Sequence, residues 1–380
     1  MAFEPADRLS STSEYPFKKI LASIKVIENK TGRKVLNFGP GNPDVPPSPI
    51  YVKKYQELVA DKDAHLYPGY GSIPEFSQAL ISWYKERFNV ELNENELHPL
   101  LGAKDGIAHL PNTILNPEDE ILTPNPGYPG FTGPVELIGA LPVSYDLSWD
   151  FKLDVDEIKS RITEKTKAIW VNFPSNPTGG TTTIDELEPL VQLAKDKKFI
   201  IIYDNPYSEI TFDGYKAPSI LEIEGAKDVA VELGSFSKSF SFAGYRMGWI
   251  VGNSEVIKAL STIKSQMDSG MSLPLQRLGA FALENPDEKW LKNTLADYKN
   301  RRDIIAKKLH KHGLEFNLTN GSLYIWAKIP NGYKDSEEFS QRMLEDYQVL
   351  LTPGSAFGSN GKNHIRASIC IDVSEIDSYL

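Results

Sequence analysis

Between Lys167 and Ser235 the chain alternates short apolar runs with a helical pattern, and that alternation leaves few folds open to it. "KAIWVNF" (Lys167 to Phe173), "FIIIY" (Phe199 to Tyr203) and "VAVELGS" (Val229 to Ser235) are nearly continuous apolar runs. Runs of that kind predict strands buried on both faces. Between the first two, "TTIDELEPLVQLAKDKK" spaces Ile184, Leu187, Leu190 and Ala194 along one helical face. Thr183 and Glu186 stand at capping-box spacing, which marks where that helix begins. Strand, helix and strand in this order imply a parallel sheet covered by helices. "EILTPN" (Glu120 to Asn125) and "LPVSY" (Leu141 to Tyr145) read as earlier strands of the same sheet.

The two ends differ from this middle. From about Asn285 a long charged helix is predicted, followed by strands in "GSLYIWAKIP" and "HIRASICID", which read as a smaller mixed unit. The first 45 or so residues hold no complete strand-helix-strand unit and are expected to pack on that second unit. A chain of 380 residues is long enough for two domains. Its apolar fraction of 41% and charged fraction of 24% are those of an ordinary globular protein. The net charge of -10 argues against nucleic acid, whose binding rests on Lys and Arg displacing counterions. No apolar run is long enough to span a bilayer. "MAFEPADRLSSTSEYPF" has no basic region leading into an apolar one, so no signal peptide is expected. Cys370 is the only cysteine, which excludes an intrachain disulfide and fits a reducing cytoplasm. Six scattered histidines without paired cysteines leave no zinc-like spacing.

In an open parallel sheet, ligands bind beyond the carboxyl ends of the strands. "WVNFPSNPTGG" brings Asn176 there, "IIYDNPY" brings Asp204 and Tyr207, and "ELGSFSKSF" brings Ser235, Ser237 and Lys238. "LLGAKDGIAHL" places Gly102, Ala103 and Lys104 at the start of an apolar helix, whose free N–H groups and dipole attract phosphate. Nucleotide-binding glycine fingerprints are absent. The stretch "SFSKSFSFAGYRMGWIVG" then holds Lys238 and Arg246 with no acid inside it to pair them. Taken singly, each residue has a plain reading: Asp204 a helix cap, Asn176 a turn former, Gly102 a turn, Lys238 a solvated loop lysine. Taken together they are an anion site, hydroxyl donors, a nucleophilic amine and an acid able to keep a ring nitrogen protonated. Those are the requirements of pyridoxal 5'-phosphate. The amine can condense with its aldehyde if burial or neighbouring cations lower its pKa.

On "NFPSNPTG", "YDNPY" and "SFSK" with an arginine eight residues on, the chain resembles the class I/II aminotransferases among the fold-type I pyridoxal-phosphate enzymes. The resemblance covers nearly the whole chain in the family's motif order. "GAKDGIAHLPNTILNPEDEILTPNPGYP" and "GAKDVAVELGSFSKSFSFAGYRMGWIVGN" look most like the subgroup of LL-diaminopimelate, alanine and aspartate aminotransferases. It implies an α/β fold: a large domain over 46–284 with a mostly parallel seven-stranded sheet between helices, and a smaller α+β domain from 1–45 and 285–380. Lys238 matches the lysine that forms the internal imine and shuttles the proton, and Asp204 the acid on the pyridinium nitrogen. Asn176 and Tyr207 match the partners of the ring's phenolic oxygen, and Tyr128 the aromatic ring stacked on the cofactor. Ser235, Ser237, Arg246 and the turn Gly102, Ala103, Lys104 match the phosphate cradle. Tyr67, in "HLYPGYGS", matches a tyrosine that reaches the phosphate of the neighbouring subunit, which implies a homodimer with shared sites. Arg366, after "PGSAFG", matches the grip on the substrate carboxylate, and Gly41 a glycine lying against the substrate.

The implied reaction is a ping-pong transamination between an L-amino acid and a 2-oxo acid, 2-oxoglutarate being the expected acceptor. A carbon–sulfur β-lyase on the same fold begins with the same step, and a non-catalytic regulatory protein that binds the cofactor is a further alternative. Three departures from the pattern stand out. Ser77 stands where relatives often carry an arginine, the last helix of the family reads as short, and "KSQMDSGMSLP" offers Lys264 but no arginine to clamp a dicarboxylate side chain.

Overall fold

The structure, a computed structural model, describes residues 3–9 and 17–380, with side chains from Ile24 onward in the longer stretch. Parts of the signal-peptide reading and of the expectation for the first 45 residues therefore lie outside the described residues.

Among the described residues the strands run, in chain order, β1 Leu36–Asn37, β2 Leu97–Leu100, β3 Glu120–Asn125, β4 Leu141–Asp146, β5 Thr166–Asn172 and β6 Ile200–Asp204. They continue with β7 Ala230–Ser235, β8 Gly248–Gly252, β9 Tyr324–Lys328, β10 Val349–Leu350, β11 Thr352–Pro353 and β12 His364–Ser368. Seven form one sheet in the order β2-β8-β7-β6-β5-β3-β4, parallel throughout except that β8 runs against both its neighbours. The apolar runs mark its centre, as the sequence predicts. Along β5, Ile169 and Val171 face one core while Ala168 and Trp170 face the other. Ile201 and Ile202 divide in the same way in β6. This period of two, with no polar face, is what helices on both sides demand.

Two strands escaped the pattern. β2, "LHPL", carries a histidine and a proline; it lies at the sheet edge, where a missing N–H costs no ladder bond. β8, "GWIVG", closes on both sides against backbone. A Cβ on Gly248 would lie 2.8 Å from the Ala103 amide nitrogen, so this glycine lets the sheet approach the start of the helix Ala103–Ile114. The helix Ile184–Lys197 begins with the expected capping box: Thr183 Oγ1 accepts from the Glu186 amide, and Glu186 from the Thr183 amide at 3.0 Å. Thr183→Ala is expected to lower the unfolding free energy by about 1 kcal/mol in denaturant melts.

A further core gathers Leu36 and Phe38 with residues of the helix Glu288–Lys311 and of β9, β10 and β12. β1 pairs in parallel with β10, while β11, β12 and β9 form an antiparallel sheet. Tyr207, Ile210 and Phe212, from the loop after β6, pack into this core and join it to the carboxyl edge of the large sheet.

Candidate active site

Three adjacent strand ends build the floor. Asn172 ends β5 and sits in register with Asp204, which ends β6; Ser235 ends β7 on the far side. Asp204 is thus the last strand residue, one place beyond the "FIIIY" strand read from sequence. Asn172 Nδ2 donates to the Asp204 carbonyl at 2.7 Å and to its Oδ2 at 3.3 Å. The other carboxylate oxygen, Oδ1, is buried without a hydrogen-bond partner among the described residues. Burial pushes the Asp204 carboxyl up to about 7. An orphaned acceptor in a buried acid calls for a donor, and a protonated nitrogen is the donor that best suits it.

Past β7 the chain makes one helical turn, Phe236–Ser239, with Ser235 Oγ accepting from the Ser237 amide at 3.1 Å. This turn aims Lys238 back across the strand ends, where its Nζ donates to the Gly41 carbonyl at 2.6 Å. Burial lowers the Lys238 pKa to about 8, opposed by the Cys370 sulfur and reinforced by the Arg366 and Arg246 guanidiniums. An amine shifted that far holds a useful neutral fraction near neutral pH, as a nucleophile or base requires.

The anion cup lies beside it. Gly102 precedes the helix Ala103–Ile114 at φ +85, and a Cβ there would sit 2.5 Å from Arg246 Nη2, so only glycine fits. Arg246 takes a left-handed φ of +58 and fixes its Nη1 on the Ala243 carbonyl at 2.8 Å. Opposite, Arg366 is 3% exposed, not the surface ion pair that would be its plain reading. Its Nη1 donates to Asn176 Oδ1 at 2.8 Å, Nη2 to the Gly39 carbonyl, and its guanidinium lies 4.3 Å from the centre of the Tyr324 ring.

A cavity of about 470 Å³ connects these groups. Every site residue read from the sequence lines it except Gly102, which shapes the turn under Arg246, and Tyr67, which is 87% exposed elsewhere on the surface. Lys264 does not line it. That side chain is 3% exposed and locked between Asp105 and Asp268, so it offers nothing to a substrate in this cavity. Ser77 is buried against the Ser72 hydroxyl, also away from the cavity. Sequence reading missed Asn172 and Tyr324. The first could have been suspected, because it is an amide ending an otherwise apolar strand. Tyr324, on β9, has its hydroxyl 3.1 Å from that of Tyr207, which burial pushes well up in pKa. A Cβ on Gly41 would lie 1.8 Å from the Tyr324 oxygen. Gly41→Ala is therefore expected to displace Tyr324, to weaken ligand binding in this cavity at least about tenfold and to lower the unfolding free energy by about 1–3 kcal/mol, read by titration and by denaturant melts.

A mostly parallel sheet with a buried amine, an orphaned acid and an anion cup at its carboxyl edge defines a fold-type I pyridoxal-phosphate enzyme. The profile of aminotransferase class I and II matches residues 33–380. An LL-diaminopimelate aminotransferase of Halothermothrix orenii is 38% identical over 99% of this chain and 97% of its own. Apo-BacF of Bacillus subtilis superposes with a TM-score of 0.94 at 32% identity, covering 100% of this chain and 97% of that one. An aminotransferase of Staphylococcus aureus superposes at 0.88 with 31% identity, covering 98% and 96%. The chain belongs to the class I and II aminotransferases and is a pyridoxal-phosphate-dependent transaminase. Among the described residues no helix is long and apolar enough to cross a membrane.

Proposed function

We propose that the protein transfers the amino group of an L-amino acid to 2-oxoglutarate in two half-reactions, with Lys238, Asp204 and Arg366 as the principal residues. Pyridoxal 5'-phosphate, when bound, supplies an aldehyde that condenses with amines and a ring that takes up the electron pair of the substrate α C–H bond. Lys238 Nζ would hold the cofactor through its aldehyde and, as a free amine, would serve as the base that takes and returns the substrate α-proton. Asp204 Oδ1, buried without a partner among the described residues, would accept from the ring nitrogen and keep it protonated. Asn176, whose Oδ1 is taken by Arg366, has Nδ2 left to donate to the ring oxygen together with the Tyr207 hydroxyl. Tyr128, which lines the cavity, would cover the ring face. Ser235, Ser237, Arg246 and the amides of the Gly102–Lys104 turn hold the phosphate. The Arg366 guanidinium fork suits the α-carboxylate, with Gly41 leaving room for it.

The observation that carries this reading is the convergence of an amine, an unpartnered carboxylate oxygen and a buried guanidinium on one cavity. The exposure of Tyr67 beside Leu66 and Tyr70, 54% and 58% exposed, supports a homodimer in which Tyr67 reaches the partner's phosphate. The separate cores support a large domain over 46–284 and a small one from 1–45 and 285–380. The single cysteine supports a cytoplasmic location.

The name of the Halothermothrix relative puts LL-diaminopimelate first among donors, ahead of alanine, aspartate, glutamate and the aromatic amino acids. A single-turnover screen of the holoenzyme, following conversion of the cofactor to its amine form, is expected to give the fastest conversion with LL-diaminopimelate. A faster reaction with another donor overturns that order. Pyruvate and ammonia released without an oxo-acid acceptor would instead mark the β-lyase.

A further inference from the structure

The helix that begins at Gly102 carries an acid, Asp105, in its first turn, next to the place where an anion is to bind. A negative charge there opposes the helix dipole's attraction for phosphate. The acid is not turned to solvent. Its Oδ2 accepts from the Leu101 amide at 3.0 Å and from Lys264 Nζ at 2.5 Å, and its Oδ1 lies 3.2 Å from His109 Nε2. Asp105 is thus the clamp that holds Leu101, the residue leading into the Gly102–Lys104 turn. Lys264 reaches it from the end of the helix Ser254–Met267 and also holds Asp268 at 2.6 Å. Asp268 in turn takes the Gly270 amide at 2.7 Å. None of these four side chains lines the cavity.

A buried ion pair contributes little net stability compared with apolar packing, so its placement at this turn needs another reason. Resting on the reading of that turn as the phosphate cup, we infer that Lys264 is a positioning residue for the cofactor phosphate. It neutralises Asp105, which can then fasten the Leu101 amide without setting a negative charge against the phosphate. Lys264 acts on the cofactor only through Asp105. Asp268 anchors the ammonium from the other side and fixes it to the loop at Gly270, which packs on the Gly69 carbonyl beside the Tyr67 segment.

The test compares full-length wild type, Lys264→Met, Asp105→Asn and the double variant, by the rate of cofactor loss from each holoenzyme and by rebinding to the stripped proteins. The probes are pyridoxal 5'-phosphate, pyridoxal without its phosphate, and inorganic phosphate as competitor. Lys264→Met is expected to bind pyridoxal 5'-phosphate and inorganic phosphate about tenfold or more weakly, with pyridoxal affinity unchanged. Asp105→Asn keeps an acceptor for Leu101 and loses the charge, so it should bind both phosphates at least as well as wild type. The double variant should return to within about threefold of wild type. A merely structural role predicts the opposite signs: equal losses for pyridoxal and its phosphate, a loss in Asp105→Asn, and a double variant no better than Lys264→Met. Any of these overturns the inference. Should Lys264→Met not fold, Asp105→Asn, which keeps the Lys264–Asp268 pair, and the double variant, which leaves only the partly exposed Asp268 without its ammonium, still decide it. A wild type that binds pyridoxal 5'-phosphate no tighter than pyridoxal would instead overturn the phosphate-cup reading itself.

Discussion

Lys238→Ala is expected to fold normally and to lose multiple-turnover transamination by at least about 10⁴-fold, since the proposed mechanism assigns this one side chain both the covalent hold on the cofactor and the proton transfer. The amine is buried, its pKa is lowered to about 8, and its one described hydrogen bond runs to the Gly41 carbonyl. The sign of the stability effect follows from the same burial. Between about pH 8 and the ordinary lysine range the unfolded chain binds more protons than the folded one, so this group makes stability rise with pH across that window. Below pH 8 the fold carries a buried ammonium, and the alanine variant without cofactor should melt no lower than wild type. Added primary amines such as methylamine should restore part of the proton-transfer rate. Steady-state assays with and without the amine measure the effect. Residual activity within about tenfold of wild type would mean that another group performs the step.

Asp204→Asn should have the next largest effect, a loss of about 10²–10⁴ in kcat/KM, because removing one partner of a buried charge pair costs about 3–5 kcal/mol. The amide retains the shape and can still meet Asn172, but it cannot hold a positive charge on a ring nitrogen. This substitution also has a signature in the cofactor-free protein. Burial raises the Asp204 carboxyl to about 7, so between the ordinary carboxylate range and pH 7 the folded chain binds more protons than the unfolded one. Stability from this group is therefore present at low pH and lost as pH rises through 7. Glu232, raised to about 7 by its own burial, adds a slope of the same sign in both proteins. Melts of stripped wild type should fall more steeply between pH 5 and 7 than those of Asp204→Asn. Equal slopes would show that Asp204 is not the protonated acid of the empty site.

Much of the large sheet was legible because its central strands are apolar on both faces and carry that property in every residue. β3 matches its sequence reading residue for residue, and β5, β6 and β7 shift by a residue at one or both ends. β2 and β8 were not legible, since an edge strand tolerates His98 and Pro99 and a strand between glycines has little side-chain pattern. The residues around Lys238 were readable because they leave consecutive strands and one helix start, so their order in the chain reflects their order in space. Tyr324 was not. It comes from β9, over eighty residues beyond Lys238, and meets Tyr207 only through packing of the third core. Lys264 shows the same limit from the other side. The sequence shows only that its stretch offers a lysine and no arginine, and burial between two acids, which turns it away from the cavity, is visible only in the fold.

The lack of an acid between Ser235 and Gly252 now has a physical reason in the fold. Lys238 uses a backbone carbonyl and Arg246 uses the Ala243 carbonyl, so neither depends on a carboxylate that would compete with a phosphate for the cup. The most direct test of the account is to reduce the holoenzyme with borohydride and locate the attached cofactor by peptide mass spectrometry. The predicted result is a single modified residue, Lys238. Attachment at Lys104, the other lysine lining the cavity, or at any lysine outside it, would contradict the assignment on which the mechanism stands.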